Sequence, residues 1–274
     1  GFKYTFDLGI KAIEFDVLIS KDNIPVLYHD YTLNTNMVKD KNGNWIDNFD
    51  LKIMDLTYDQ ISNYSIESLK PGSGYSDRFK NQKSVEGAKI PKLIDLFKLA
   101  NKENYKDVFL NLEVKSNPNL NDVTPEPKEM VATILKDIKD YNLEDRIVVT
   151  SFDWRILYEL KKQNPNVLRG FLTLQQNLGS TKKNIYENSP WINKEFTMEE
   201  LFLLPNIIKS IEGHVWSAFY RDITKQNVEL AHKQGLAVNV WTVNREQDII
   251  RMIEYGVDGI ITDYPKKVQE ICKS

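Results

Sequence analysis

Val108-Phe109-Leu110-Asn111-Leu112-Glu113-Val114-Lys115 leads through a polar loop into an amphipathic stretch at 126–141, and then into Ile147-Val148-Val149-Thr150-Ser151. The outer segments have the lengths and apolar character of buried strands, and the segment between them has the helical period. This is a strand–helix–strand unit, whose right-handed crossover makes the two strands parallel. The same rhythm extends both ways. Further strands are expected at 12–18, 167–172, 215–218, 237–242 and 259–262, and helices at 92–103, 153–163, 197–210, 224–234, 245–254 and 266–272. Alternation sustained over 274 residues predicts an α/β fold, a (β/α)8 barrel, as a single domain over 1–274. Seven strands are counted in the sequence, where such a barrel has about eight. Residues 1–8 read as the end of a helix, with Phe2 and Phe6 at i and i+4 and Gly9 at the C-cap. On this reading the uncounted strand is the first and lies upstream.

Residues 22–87 interrupt the rhythm. The segment is rich in Asn, Asp, Ser, Gly and Tyr, carries only short strands such as Pro25-Val26-Leu27-Tyr28, and reads as an insertion after the second barrel strand. The polar loops at 117–127 and 177–195 are candidates for the rim of an active site. Net charge is −3 with both signs mixed along the chain, which gives no footprint for nucleic acid. No apolar run approaches the roughly 18 residues of a spanning helix, so stable membrane insertion is not expected. Cys272 is the single cysteine, which excludes an internal disulfide and a cysteine metal cluster. The partner expected is a small molecule, and oligomeric state is not encoded legibly.

The residues that can carry chemistry cluster on two strands. In Ala12-Ile13-Glu14-Phe15-Asp16-Val17, strand alternation puts Glu14 and Asp16 on one face and Ile13, Phe15 and Val17 on the other. Two acids on an interior face repel and lose hydration unless a cation compensates, whereas on an edge strand they form a solvated polar face. Asn111, Glu113 and Lys115 share a face in the same way, as a functional set or as a structural Glu–Lys pair. Glu113 beside the first two acids makes an oxygen-ligand site suited to Mg2+ or Ca2+, and Lys115 supplies charge for a phosphate oxygen. His29 ends a short apolar strand and precedes Asp30, which can orient its ring. It is a candidate general acid, or a structural loop histidine. Trp241, at a strand terminus, is a candidate wall for an organic substrate. Asp153 and Asn244 suit helix N-caps, and His214 and His232 have structural contexts.

Taken together these stretches resemble the glycerophosphodiester phosphodiesterase family. The resemblance is carried by Glu14-Phe15-Asp16-Val17, by Ser20-Lys21-Asp22-Asn23-Ile24-Pro25-Val26 with His29-Asp30, and by Ile90-Pro91-Lys92-Leu93. It continues through Asn111-Leu112-Glu113-Val114-Lys115, Trp241-Thr242-Val243-Asn244 and the run Gly256 to Pro265. It implies a barrel of the phospholipase-C-like phosphodiesterase type that hydrolyses glycerophosphodiesters to sn-glycerol 3-phosphate and an alcohol. It also implies that Glu14, Asp16 and Glu113 hold a divalent metal, that His29 is one of two catalytic histidines, and that Lys115 contacts phosphate. The family's His-Arg-Gly and Pro-Glu-Asn motifs are not in this sequence. Competing readings are a related phospholipase acting on intact lipids and a silent barrel that binds phosphodiesters. The polar insertion favours a periplasmic or exported location.

Overall fold

A computed structural model describes residues 1–120, 122–179 and 181–273. Its strands are β1 (Ala12–Ile19), β2 (Pro25–Leu27), β3 (Phe109–Val114), β4 (Ile147–Ser151), β5 (Leu168–Thr173), β6 (Val215–Phe219), β7 (Ala237–Trp241) and β8 (Gly259–Ile260). Its helices are α1 (Phe2–Asp7), α2 (Tyr58–Ser62), α3 (Gly74–Arg78), α4 (Leu93–Ala100), α5 (Pro127–Asp140), α6 (Trp154–Gln163), α7 (Met198–Leu201), α8 (Leu204–Ser210), α9 (Lys225–Lys233), α10 (Glu246–Tyr255) and α11 (Pro265–Lys273). All strands join one curled sheet in the order β2-β1-β3-β4-β5-β6-β7-β8. From β1 to β8 every pairing is parallel, as helical crossovers require. Among the described residues, no helix is long and apolar enough to cross a membrane.

The eighth strand of the sheet is β2, which returns antiparallel on β1 with Val17 opposite Leu27 and Ile19 opposite Pro25. A short polar turn produces the return. The Ser20 hydroxyl donates to Asp22 at 2.6 Å and accepts the Ile24 N–H at 3.0 Å, while Asn23 takes a left-handed φ of 59°. The rest of the 22–87 segment has its own small core. Leu33, Val38, Ile46, Ile53 and Ile61 pack with Leu18 and Val26, so this segment is seated on the β1–β2 hairpin.

The expected alternation places the two main cores. Ile13, Phe15 and Val17 of β1 join Leu110, Leu112 and Val114 of β3 under the apolar faces of α4 and α5. Phe171, Trp216, Val238 and Val240 form a second core with α8, α9 and α10. After α1, Gly9 adopts φ 76° and its N–H bonds Phe6 O at 2.8 Å, a conformation glycine adopts without strain. One expected helix differs. The 197–210 segment is two helices, because the Thr197/Glu200 capping box opens α7 and Pro205 stands in the first turn of α8, where no amide donor is needed. Trp154 is fully buried, meets Phe171 edge-to-face at 5.0 Å and donates to Leu172 O at 3.3 Å. Trp154→Ala is expected to cost about 3–5 kcal/mol in denaturant unfolding. A midpoint equal to wild type would show that this indole is not part of the core's stability.

Candidate metal centre

The site is assembled by the pairing of β1 with β3. Asp16 lies opposite Glu113 and Glu14 opposite Asn111, so faces separated by about a hundred residues of chain become one acidic surface. Glu14, Asp16 and Glu113 each offer a carboxylate oxygen, and these atoms lie within 4.8 Å of one another. The Lys115 amide continues the ladder by donating to Val17 O at 3.1 Å. Its ammonium sits 2.9 Å from Glu113 Oε1 and 3.6 Å from Asp16 Oδ1, with only 11% of the lysine side chain exposed. The β2 hairpin adds the histidine. Tyr28 N–H donates to Asp16 O at 3.2 Å, which sets His29 at the level of the carboxylates. His29 Nδ1 lies 2.7 Å from Asp30 Oδ1, whose other oxygen accepts Asn34 Nδ2 at 2.7 Å.

Three acids and one ammonium leave an uncompensated negative charge in a desolvated place. Burial pushes the Glu14 carboxyl well above the ordinary range, and the charges of Asp16 and Glu113 push it further. Burial also raises Glu113, with Lys115 opposing. Burial alone would lower Lys115, but the Glu113 and Asp16 charges outweigh it and hold the ammonium firmly protonated. Among the described residues, Glu14 Oε1 is buried without a hydrogen-bond partner. An orphaned carboxylate oxygen among converging acids fits a hard cation, which supplies the missing positive charge and an acceptor for that lone pair. The triad can therefore hold a divalent cation.

Comparison with known proteins agrees with this chemistry. The model of the glycerophosphoryl diester phosphodiesterase family matches residues 1–267. The chain belongs to this family. A glycerophosphodiester phosphodiesterase from Caldanaerobacter subterraneus subsp. tengcongensis is 31% identical over 266 residues, covering 97% of this chain and 87% of the relative. The crystal structure of a family protein from Silicibacter pomeroyi DSS-3 superposes with a TM-score of 0.85 at 33% identity, covering 98% of this chain and 85% of that one. An Oleispira antarctica phosphodiesterase, solved in complex with the product sn-glycerol-3-phosphate, shares the fold with a TM-score of 0.68 at 20% identity, over 99% and 88% of the two chains.

Within this family barrel the five residues expected from the strand motifs, Glu14, Asp16, His29, Glu113 and Lys115, come together. Trp241 lies at the end of β7. Its indole N–H is engaged by Ser217 O at 3.1 Å, and its ring packs on Phe152 and Phe219 at 5.2 Å each. Asn244 is not a helix cap, because Arg245 takes that place on α10. Instead Asn244 holds the loop after β8, donating to Asp263 Oδ2 at 2.8 Å and accepting from Thr262 and from the Asp263 amide. Asp263 also accepts Arg78 at 2.8 Å, which ties α3 to that loop. His214 Nδ1 accepts the Arg169 amide at 3.2 Å, and His232 Nε2 lies 2.9 Å from Asp258 Oδ2. Sequence reading missed Tyr31. Its hydroxyl, pushed up to about 12 by burial, donates to Ser116 O at 3.0 Å. Its position two residues beyond His29 was the available signal.

Proposed function

We propose that this chain hydrolyses glycerophosphodiesters to sn-glycerol 3-phosphate and an alcohol, using Mg2+ or Ca2+ held by Glu14, Asp16 and Glu113. The observation that carries the reading is the carboxylate triad with its unpartnered Glu14 oxygen and the adjoining Lys115 ammonium. The product bound by the Oleispira phosphodiesterase supports the same reaction class. When bound, the cation supplies Lewis-acid polarisation of the phosphoryl group. Lys115 carries a fixed positive charge at the end of β3, where it meets a phosphate oxygen and stabilises charge that grows in the transition state. His29, exposed over 67% of its side chain, donates a proton to the departing alkoxide. Asp30 holds the imidazole by Nδ1 and leaves Nε2 free for that transfer. Trp241 with Phe152 offers an apolar wall for the organic part of the substrate.

The test is direct. Glycerophosphocholine incubated with the protein and Mg2+ or Ca2+ should yield sn-glycerol 3-phosphate and choline, followed by phosphorus NMR. Chelation should stop turnover and added cation restore it. Absence of products with cation present, or turnover indifferent to chelation, overturns the reading. His29→Ala should lower kcat by roughly a hundredfold to ten-thousandfold. The Asp30 hydrogen bond raises the His29 pKa, so activity should fall as pH rises through a value above that of an ordinary histidine. A p-nitrophenyl leaving group needs no proton and should lose much less. Equal losses with both leaving groups would remove His29 from the acid role.

A further inference from the structure

We propose that Asp153 is a positioning residue that fixes Lys115 against the carboxylate triad through Ser116, a step that rests on the function proposed above. As an N-cap Asp153 needs only one oxygen, the Oδ1 that accepts the Arg155 amide at 3.2 Å. A serine or asparagine would serve that purpose without a buried charge. Asp153 is instead a fully buried carboxylate, gripped by Arg155 at 2.9 Å from Nε and 2.6 Å from Nη2. Its second oxygen, the one that Arg155 Nη2 also meets, accepts the buried Ser116 hydroxyl at 2.7 Å.

Ser116 is the residue after Lys115, and the Val114 carbonyl before the lysine and the Ser116 hydroxyl after it are both held by the β4–α6 turn. Ser151 Oγ donates to Val114 O at 2.8 Å and accepts the Asp153 amide at 3.1 Å. The insertion closes the third side, where the Tyr31 hydroxyl donates to Ser116 O. Residues 114–116 are thus pinned from β4, from α6 and from the segment that carries His29. The pinned span is where β3 ends and a loop begins: the ladder holds the Lys115 amide through Val17 O, and the residues on either side of it are held only by these further contacts. A displacement of about 1 Å at a charge-stabilising group costs up to a hundredfold in rate. The buried Asp153 carboxylate, held by the partly exposed Arg155, therefore acts on chemistry through the placement of one ammonium.

The experiment compares Ser116→Ala, Ser116→Thr and Lys115→Ala, singly and with Ser116→Ala combined with Lys115→Ala. Kinetics on glycerophosphocholine are measured beside amide hydrogen exchange at Lys115. Ser116→Ala should lower kcat about tenfold with KM little changed, Ser116→Thr should restore it, and Ser116→Ala should cost nothing further once Lys115 is alanine. Exchange at the Lys115 amide should speed about tenfold while the core strands remain protected. Wild-type kcat together with unchanged exchange in Ser116→Ala overturns the proposal, as does an equal loss in both lysine backgrounds. A wild-type protein inert toward glycerophosphodiesters, with Lys115 exchange still accelerated by Ser116→Ala, would sink the proposed reaction and leave the anchoring of Lys115 standing.

Discussion

Glu113→Ala is expected to lower kcat/KM for glycerophosphocholine by roughly three to four orders of magnitude and to weaken cation binding in calorimetry in parallel. The loss follows from geometry. Glu113 is the one member of the triad contributed by β3, and it is also the 2.9 Å partner of Lys115, so its removal disturbs the cation site and the ammonium together. Glu14→Gln should share the catalytic loss and differ in stability. The Glu14 carboxyl has its folded-state pKa raised, first by burial and then by Asp16 and Glu113. The folded protein therefore holds a proton that the unfolded chain releases. The stability this group contributes is fully present below the ordinary carboxylate pKa and is lost as pH rises through the raised value. Above the ordinary carboxylate pKa and without cation, the Glu14 carboxyl thus destabilises the fold, and the isosteric amide removes that cost. Glu14→Gln should raise the melting temperature of the chelated protein by a few degrees (roughly 2–4 °C per kcal/mol at this chain length) and abolish the further rise that cation gives wild type. Undiminished turnover in Glu113→Ala would show that the triad is not the site. A Glu14→Gln protein that melts below wild type in chelator would show that the orphaned oxygen is not under electrostatic strain.

The residues behind that prediction were legible because they break a strong local pattern. Ile13, Phe15 and Val17 demand a buried face, and the strand period then forces Glu14 and Asp16 together on the other. The helical crossovers were legible for the same reason, in α5, α6 and α10, whose apolar positions recur at helical spacing. What local pattern does not carry is register. Nothing in residues 12–17 specifies that Asp16 will lie beside Glu113, because that pairing is decided by packing of whole faces across the intervening chain. The short strand expected at Pro25–Tyr28 is present as β2, but three paired residues are too few to show that it joins the main sheet by returning on β1. The break between α7 and α8 is marked in the sequence by Pro205, which the expected single helix over 197–210 leaves out of account. Asp153 was read as a cap and is one, yet its second oxygen serves Ser116. A side chain's far contact has no sequence period at all.

Lys115→Met tests the other half of the charge balance. The Lys115 ammonium is almost buried and stands between Glu113 and Asp16, and its pKa is held up by those carboxylates against the cost of burial. Breaking a buried ion pair by removing one partner costs about 3–5 kcal/mol, because the surviving charges stay desolvated. Here three carboxylates survive, and part of the strain will relax by proton uptake on Glu14 and Glu113, whose pKa values already lie high. A net loss of about 3 kcal/mol lowers the melting temperature by roughly 6–12 °C for a chain of this size. The deficit should be widest at neutral pH in chelator. It should shrink as pH falls below the ordinary carboxylate range, where the unfolded chain is protonated too and the raised groups no longer penalise the fold. Cation should also close it, since a divalent ion neutralises the same oxygens that the ammonium does. Lys115→Met should therefore bind Mg2+ or Ca2+ more tightly than wild type while losing activity, since the charge facing the phosphate is gone. Tighter binding with lost turnover separates the lysine's role toward substrate from its role toward the acids. If Lys115→Met melts with wild type in chelator, or if cation leaves its deficit intact, the ammonium is not what neutralises the triad, and the Glu–Lys contact is a surface pair of little consequence.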